Sequence, residues 1–280
     1  MRQNRKEEKM ESKLKKTMLA LLTLVIIVLL CVGYYAAMGG QAAVFTAAKE
    51  RLLPIYSVQT PEKKIAISFD AAWGNEFTQD ILRILDQYQV KCTFFLVGFW
   101  IDEFPQDVKE IARRGHEIGS HSLTHPDMTT LSRDQILQEL DQTAEKIQKL
   151  TGKSPELFRA PYGAYHNTLI ETARSRGYQV IQWDVDSLDW KELPLEQIVE
   201  RVVRNVTNGS IVLFHNNAQL VRQYLPQILE KLQADGYEIV PVGDLILREN
   251  YEIDHTGRQQ PASASPSRTQ EKNREDQIGS

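Results

Sequence analysis

The chain is short of several things that would decide its class early. It has two cysteines in 280 residues. Cys31 lies in an apolar N-terminal run and Cys92 in a segment that reads as a buried strand, so the two are not expected to pair. They say little about redox compartment. There is no G-x-G-x-x-G and no Walker pattern, which leaves no glycine-rich cradle for a phosphate. No basic stripe interleaved with aromatics appears and the net charge is −4, which argues against a nucleic-acid partner. No internal repeat is evident, and the sequence carries no signal for an oligomeric state. What remains is an ordinary apolar share, 42%, enough for a sizeable core. The length fits one domain of about 200 residues plus extensions.

Residues 1–17 are rich in Lys and Arg, and 18–38 then run without a charge, long enough to span the hydrocarbon core of a bilayer. The basic flank predicts a cytoplasmic N-terminus and an exported remainder. A secretory signal has a shorter apolar region of about 7–15 residues, so the run reads as a membrane anchor; Ala37-Met38-Gly39 keeps a cleaved signal open. Residues 39–62 read as a linker, with a short helix as the alternative from 42. From 63 to 250 apolar β-branched runs alternate with helical faces. Strands are expected at 64–70, 91–97, 117–120, 157–159, 179–183, 211–214 and 237–240. Helices are expected at 77–87, 105–114, 132–150, 167–176, 195–205, 219–234 and 242–248. Ser132 with Gln135 forms a capping box, and Gly152 ends that helix. Seven strand–helix pairs argue a parallel α/β sheet, closed into a barrel or wound open. Residues 254–280 are polar and rich in Ser, Pro and Gln, and read as a disordered tail.

In such folds, sites gather at the strand ends. Five ends here carry polar residues that a core would not hold. Asp70 follows the run 65–69. His121 and His125 follow 117–120, and their four-residue spacing would put both imidazoles on one side of a helical turn, close enough for one metal ion. Arg159 opens the loop RAPYG, stiffened by Pro161 and Gly163. Residues 184–190, DVDSLDW, bring three aspartates and a tryptophan. His215 ends the run 211–214. Each alone has a bland reading as a turn or surface residue; the joint occurrence carries the signal.

These residues resemble the ordered motifs of the polysaccharide deacetylases with the NodB-homology domain, carbohydrate esterase family 4. HSLTH at 121–125 is similar to the metal-binding motif, RAPYG at 159–163 to the third, DSLDW at 186–190 to the fourth and LFH at 213–215 to the fifth. SFDAAW at 68–73 is similar to the first in altered form, and with the anchor it resembles the sporulation-associated branch. The resemblance implies a distorted (β/α) barrel of about seven strands and removal of N-acetyl groups from a cell-wall or spore-wall glycan, peptidoglycan or chitin-like. It implies a divalent metal on His121 and His125, usually zinc, with cobalt or nickel also accepted by imidazole. Asp70 would be the base and Arg159 would keep it ionised; His215 would be the acid and Asp189 would favour its charged form. Tyr162, Trp190 and Trp73 would line the substrate pocket, and the Tyr162 N–H could face an oxyanion.

The family's first motif has two adjacent aspartates, of which the second ligates the metal. Here that position is Ala71. Two neutral ligands predict weak metal retention, with Glu76 or Asp70 as substitutes. The alternative reading is therefore an envelope glycan-binding protein on the same fold, with weak or lost turnover.

Overall fold

The structure, a computed structural model, describes residues 2–39 and 50–262. It divides into two compact units, Met1–Glu50 and Arg51–Ser280. The first is carried by one helix, α1 (Arg2–Gly39). Within it Lys13–Cys31 has a mean hydropathy of 2.3 over 19 residues, long and apolar enough to cross a membrane.

The second unit begins with a short strand, β1 (Ser57–Val58). The alternation then runs β2 (Lys64–Ala71), α2 (Thr78–Gln87) and β3 (Thr93–Leu96). Two helices follow, α3 (Gly98–Glu103) and α4 (Pro105–Arg113), the second started by Pro105 at its first position. Next come β4 (Glu117–Ser120), α5 (Arg133–Thr151), β5 (Leu157–Phe158), α6 (Asn167–Ser175) and β6 (Gln179–Val180). The chain continues with β7 (Val185–Asp186), α7 (Leu195–Asn205), β8 (Ile211–His215), α8 (Val221–Ala234), β9 (Glu238–Val240) and α9 (Val242–Leu245). It closes with β10 (Tyr251–Ile253) and β11 (Arg258–Pro261). The capping box of Ser132 and Gln135 forms, and Gly152 caps α5 in the left-handed region at φ 77°.

The main sheet is parallel throughout, in the order β6-β5-β4-β3-β2-β8-β7, with β9 also pairing with β2. The end strands β6 and β7 share no ladder, so this is a distorted barrel left open. Strand β2 shows how the layers arise. Ile65, Ile67, Phe69 and Ala71 enter the apolar cluster packed under the helices, while Ala66 joins the inner cluster with Phe95, Leu157, Ile181 and Ile211. Gly119 on β4 makes the inner packing possible, because a Cβ there would stand 2.6 Å from the Phe95 ring.

The domain is wider than the interval 63–250. β1 pairs in parallel with β11 and β11 antiparallel with β10, giving a three-stranded sheet outside that interval. The tail expected from Asp254 therefore does not start there; its remainder, 263–280, lies outside the described residues. RQQP at 258–261 has no apolar alternation; besides its two ladders, one buried side chain ties it to the domain. Gln259 is fully buried, its Nε2 donates to the Leu247 carbonyl at 2.8 Å, and its Oε1 accepts from the Leu247 N–H at 2.7 Å. Of the linker, 42–49 lie outside the described residues; 50–61 hold β1 and no helix. Helix α3 is too short for its periodicity to show. Gln259→Ala strips two hydrogen bonds and leaves buried backbone unpaired, for an expected loss of about 1–3 kcal/mol in urea unfolding. An unchanged midpoint would show that β11 is not part of the cooperative unit.

Candidate active site

Because the strands are parallel, their C-terminal ends open on the same side, and four of those ends carry ionisable groups. Asp70 is the penultimate residue of β2, and His215 closes β8 directly beside it in register. His121 follows β4, and Arg159 follows β5.

Arg159 is fully buried and Asp70 is 6% exposed. The guanidinium donates through Nη1 to Asp70 Oδ1 at 2.7 Å, and through Nη2 to Ser68 Oγ at 2.9 Å and the Gln182 carbonyl at 3.1 Å. It lies over the Phe95 ring at 4.1 Å and near Trp183 at 5.4 Å. Burial alone would raise the Asp70 pKa. The charge of Arg159, with smaller effects of His121 and His215, outweighs it and holds the carboxyl below its ordinary range. Burial lowers the Arg159 pKa, and Asp70 opposes that shift. The result is an ionised carboxylate held in one direction at the mouth of the barrel.

The two histidines meet, though not through a helical turn. Residues 121–127 form a loop, with Ser122 and His125 in the left-handed region at φ 69° and 56°, and this bend brings the ring centroids to 5.0 Å. The two imidazoles are neighbours, as their spacing predicts, but the left-handed bend and not a helical turn brings them together. His121 Nδ1 lies 2.8 Å from the Arg159 carbonyl, which can only accept, so Nδ1 carries the proton and Nε2 presents its lone pair. That lone pair faces Asp70 Oδ2 at 3.5 Å. His125 Nδ1 is buried without a partner. Burial, then the neighbouring His121, lowers the His125 pKa to about 4, and burial likewise lowers that of His121. Two neutral imidazoles, with one lone pair set against a carboxylate, fit a divalent cation held by His121 and His125. Among the described residues no group of three His, Cys, Asp or Glu is arranged to hold a metal. Ala71 belongs to the apolar cluster. The Glu76 carboxylate folds back over Gly74.

On the other side of Asp70, His215 Nδ1 donates to Asp189 Oδ1 at 2.8 Å. Asp189 Oδ2 accepts from the His215 N–H at 2.9 Å and from the Tyr224 hydroxyl at 2.6 Å. Burial opposes the imidazolium, but the Asp189 hydrogen bond and charge, with Asp70 and Asp186 adding, raise the His215 pKa. Trp73 and Tyr162 flank His125 with ring centroids 4.9 and 4.7 Å away, and both are exposed, as is Trp190, which stacks with Lys191 Nζ at 4.9 Å. Tyr162 takes φ 60°, and its hydroxyl donates to the His125 carbonyl at 3.3 Å. Several supports had no sequence signal. Tyr224 reads as a core aromatic of α8, and Ser68 as a strand residue. Trp100 Nε1 and Asn216 Nδ2 both donate to the Gly74 carbonyl, at 2.7 and 2.8 Å, and fix the loop that carries Trp73.

Residues 57–181 match the polysaccharide deacetylase family pattern. The protein YlxY of Bacillus subtilis is 34% identical over 69% of this chain, which spans 60% of that relative's length. The peptidoglycan-N-acetylmuramic acid deacetylase PdaA of Bacillus subtilis is 31% identical over 73% of this chain and 79% of its own. The structure of that protein, a family 4 carbohydrate esterase, superposes with a TM-score of 0.65, covering 69% of this chain and 84% of that one. BA3943 of Bacillus anthracis, a family 4 pseudoenzyme, superposes at 0.67 with 34% identity, over 69% and 68% of the two chains. A mutant of it has restored enzymatic activity. Strand order, strand-end groups and these relatives agree: the chain belongs to the polysaccharide deacetylases of carbohydrate esterase family 4.

Proposed function

We propose that the chain is a metal-dependent hydrolase that removes N-acetyl groups from peptidoglycan or a related N-acetyl amino sugar of the envelope. The observation that carries this reading is the opposite bias of two adjacent groups: Asp70 held toward its ionised form by Arg159 and His215 toward its protonated form by Asp189, beside two imidazoles biased toward neutral by burial. A divalent ion on His121 and His125, zinc by the chemistry of imidazole, would polarise the acetyl carbonyl and acidify a water. Asp70 takes the proton of the attacking water, and Arg159 holds that carboxylate in the ionised form. His215 gives its Nε2 proton to the departing sugar nitrogen, while Asp189 holds the opposite ring edge. Trp73, Tyr162 and Trp190 supply exposed aromatic faces for sugar rings. The apolar stretch of α1 would hold the domain at the outer face of the cell membrane.

The alternative reading, a glycan-binding protein with weak or lost turnover, is favoured by one residue. Ala71 gives the site no carboxylate where the family's ligand stands, and a structural relative is a pseudoenzyme. Position 71 closes β2 beside Asp70, at the strand end where the site opens. Ala71→Asp is expected to tighten zinc binding at least about tenfold in calorimetric titration and to raise acetate release. Unchanged affinity would show that position 71 is not the missing ligand.

Acetate release from peptidoglycan fragments, measured with added zinc or cobalt, tests the main reading. His215→Ala should lower it by about 10²–10⁴-fold. The pH profile follows from the shifts. Activity should fall as pH rises through the raised His215 pKa, because the acid is then deprotonated. On the acid side Asp70 stays ionised below the ordinary carboxylate range, so the loss comes as His125 protonates near pH 4 and releases the metal. Glycan binding without acetate release at any pH or metal supply would favour the non-catalytic reading.

A further inference from the structure

Tyr224 stands on the first turn of α8, on the face that also buries Val221, Leu225 and Ile228. Its ring stacks on Phe214 at 5.5 Å and 14°, Phe214 on Phe69 at 5.5 Å and 28°, and Phe69 on Phe94 at 5.2 Å and 19°. Phe214 immediately precedes His215, and Phe69 immediately precedes Asp70, so one aromatic column runs beneath both ionisable groups. At its end the phenol turns up into the site and donates to Asp189 Oδ2 at 2.6 Å. Burial and the Asp189 charge raise the Tyr224 pKa well above its ordinary value, so the hydroxyl stays a donor.

We propose that Tyr224 is a positioning residue for the His215–Asp189 pair: its hydroxyl occupies Oδ2 and leaves Oδ1 to the imidazole. The role rests on the reading of His215 as the acid. A carboxylate can rotate and offer either oxygen. Here Oδ2 is filled twice, by the His215 N–H and the phenol, and the ring meets Oδ1 alone. The phenol also draws negative charge toward Oδ2, so Oδ1 holds the imidazolium less tightly and the proton remains transferable. The other charged groups acting on His215 are Asp70 from β2 and Asp186 from β7, with neutral His121 after β4. Among the described residues none of these three side chains hydrogen-bonds Asp189 Oδ2, whereas the Tyr224 hydroxyl does.

Tyr224→Phe in the full-length protein in detergent micelles tests this, because phenylalanine keeps the aromatic column and removes only the hydroxyl. The His215 titration, followed by NMR of ¹⁵N-histidine-labelled, metal-free protein, is expected to move up by about half to one pH unit. With metal, kcat should fall about three- to tenfold at unchanged KM, and the high-pH limb of activity should move up with the titration. A fluorinated tyrosine at 224, a stronger donor, should move the titration down. In an Asp189→Asn background Tyr224→Phe should add nothing further. An unmoved or lowered His215 titration in Tyr224→Phe overturns the proposal, whatever its effect on melting temperature. A parent that releases no acetate, while the titration still shifts, upholds the positioning of the pair and removes the acid role. An active parent with an unmoved titration does the reverse.

Discussion

A guanidinium inside a barrel is costly unless something answers its charge, and Arg159 is answered by Asp70. The pair ties together pieces far apart in the chain. Arg159 comes from the end of β5, reaches Ser68 and Asp70 on β2, takes the Gln182 carbonyl beyond β6, and rests on Phe95 of β3. Its own carbonyl orients His121. Withdrawing one partner of such a pair leaves the other as a buried uncompensated charge, at a cost of about 3–5 kcal/mol. The interaction that sets the ionisation of Asp70 and the tautomer of His121 is therefore also one that the inner core is built around.

The same strand explains why position 71 can change without disturbing that arrangement. Alternation along β2 gives Ser68 and Asp70 to Arg159, and gives Phe69 and Ala71 to the outer apolar layer. Ala71 is fully buried there, and the hydrogen bonds of Arg159 do not touch it. Retention of a metal and integrity of the barrel are thus separable properties of adjacent residues. Asp70, Arg159, His215 and Asp189 are linked by hydrogen bonds and register that do not pass through position 71.

Much of this was legible because hydrophobic period and strand-end polarity are local signals. The β4 bounds, the α7 bounds and the α5 capping box follow directly from residue type. Apolar runs ending in Asp70, Arg159 and His215 carried a signal jointly, where each alone reads as a turn or surface residue. What stayed hidden depends on contacts across the chain. The loop that joins His121 and His125 uses left-handed residues rather than a helical turn, and non-glycine residues seldom advertise that conformation. Tyr224 looks like any aromatic on a buried helix face until its hydroxyl meets Asp189. Strands β1 and β11 carry too few apolar residues for a periodic pattern, and Gln259 reads as a surface residue though it is fully buried.

Those two strands have a further consequence for the order of events as the protein is made. Ser57 pairs with Arg258 and Val58 with Gln259, so the first strand of the domain finds its partner about 200 residues later. A chain threaded out from its N-terminus presents β1 early; its neighbour Ile55 meets Val180 and Gln182, and Val58 meets Gly209, before the β11 ladder can form at residue 259. Closing a loop of that size carries an entropic cost that nearer contacts do not meet, and the parallel barrel strands between can pair first. The opening segment is therefore anchored to the barrel in steps, first at Ile55 and Val58 and last along its β11 edge. Strand β11 acts as a latch on that edge.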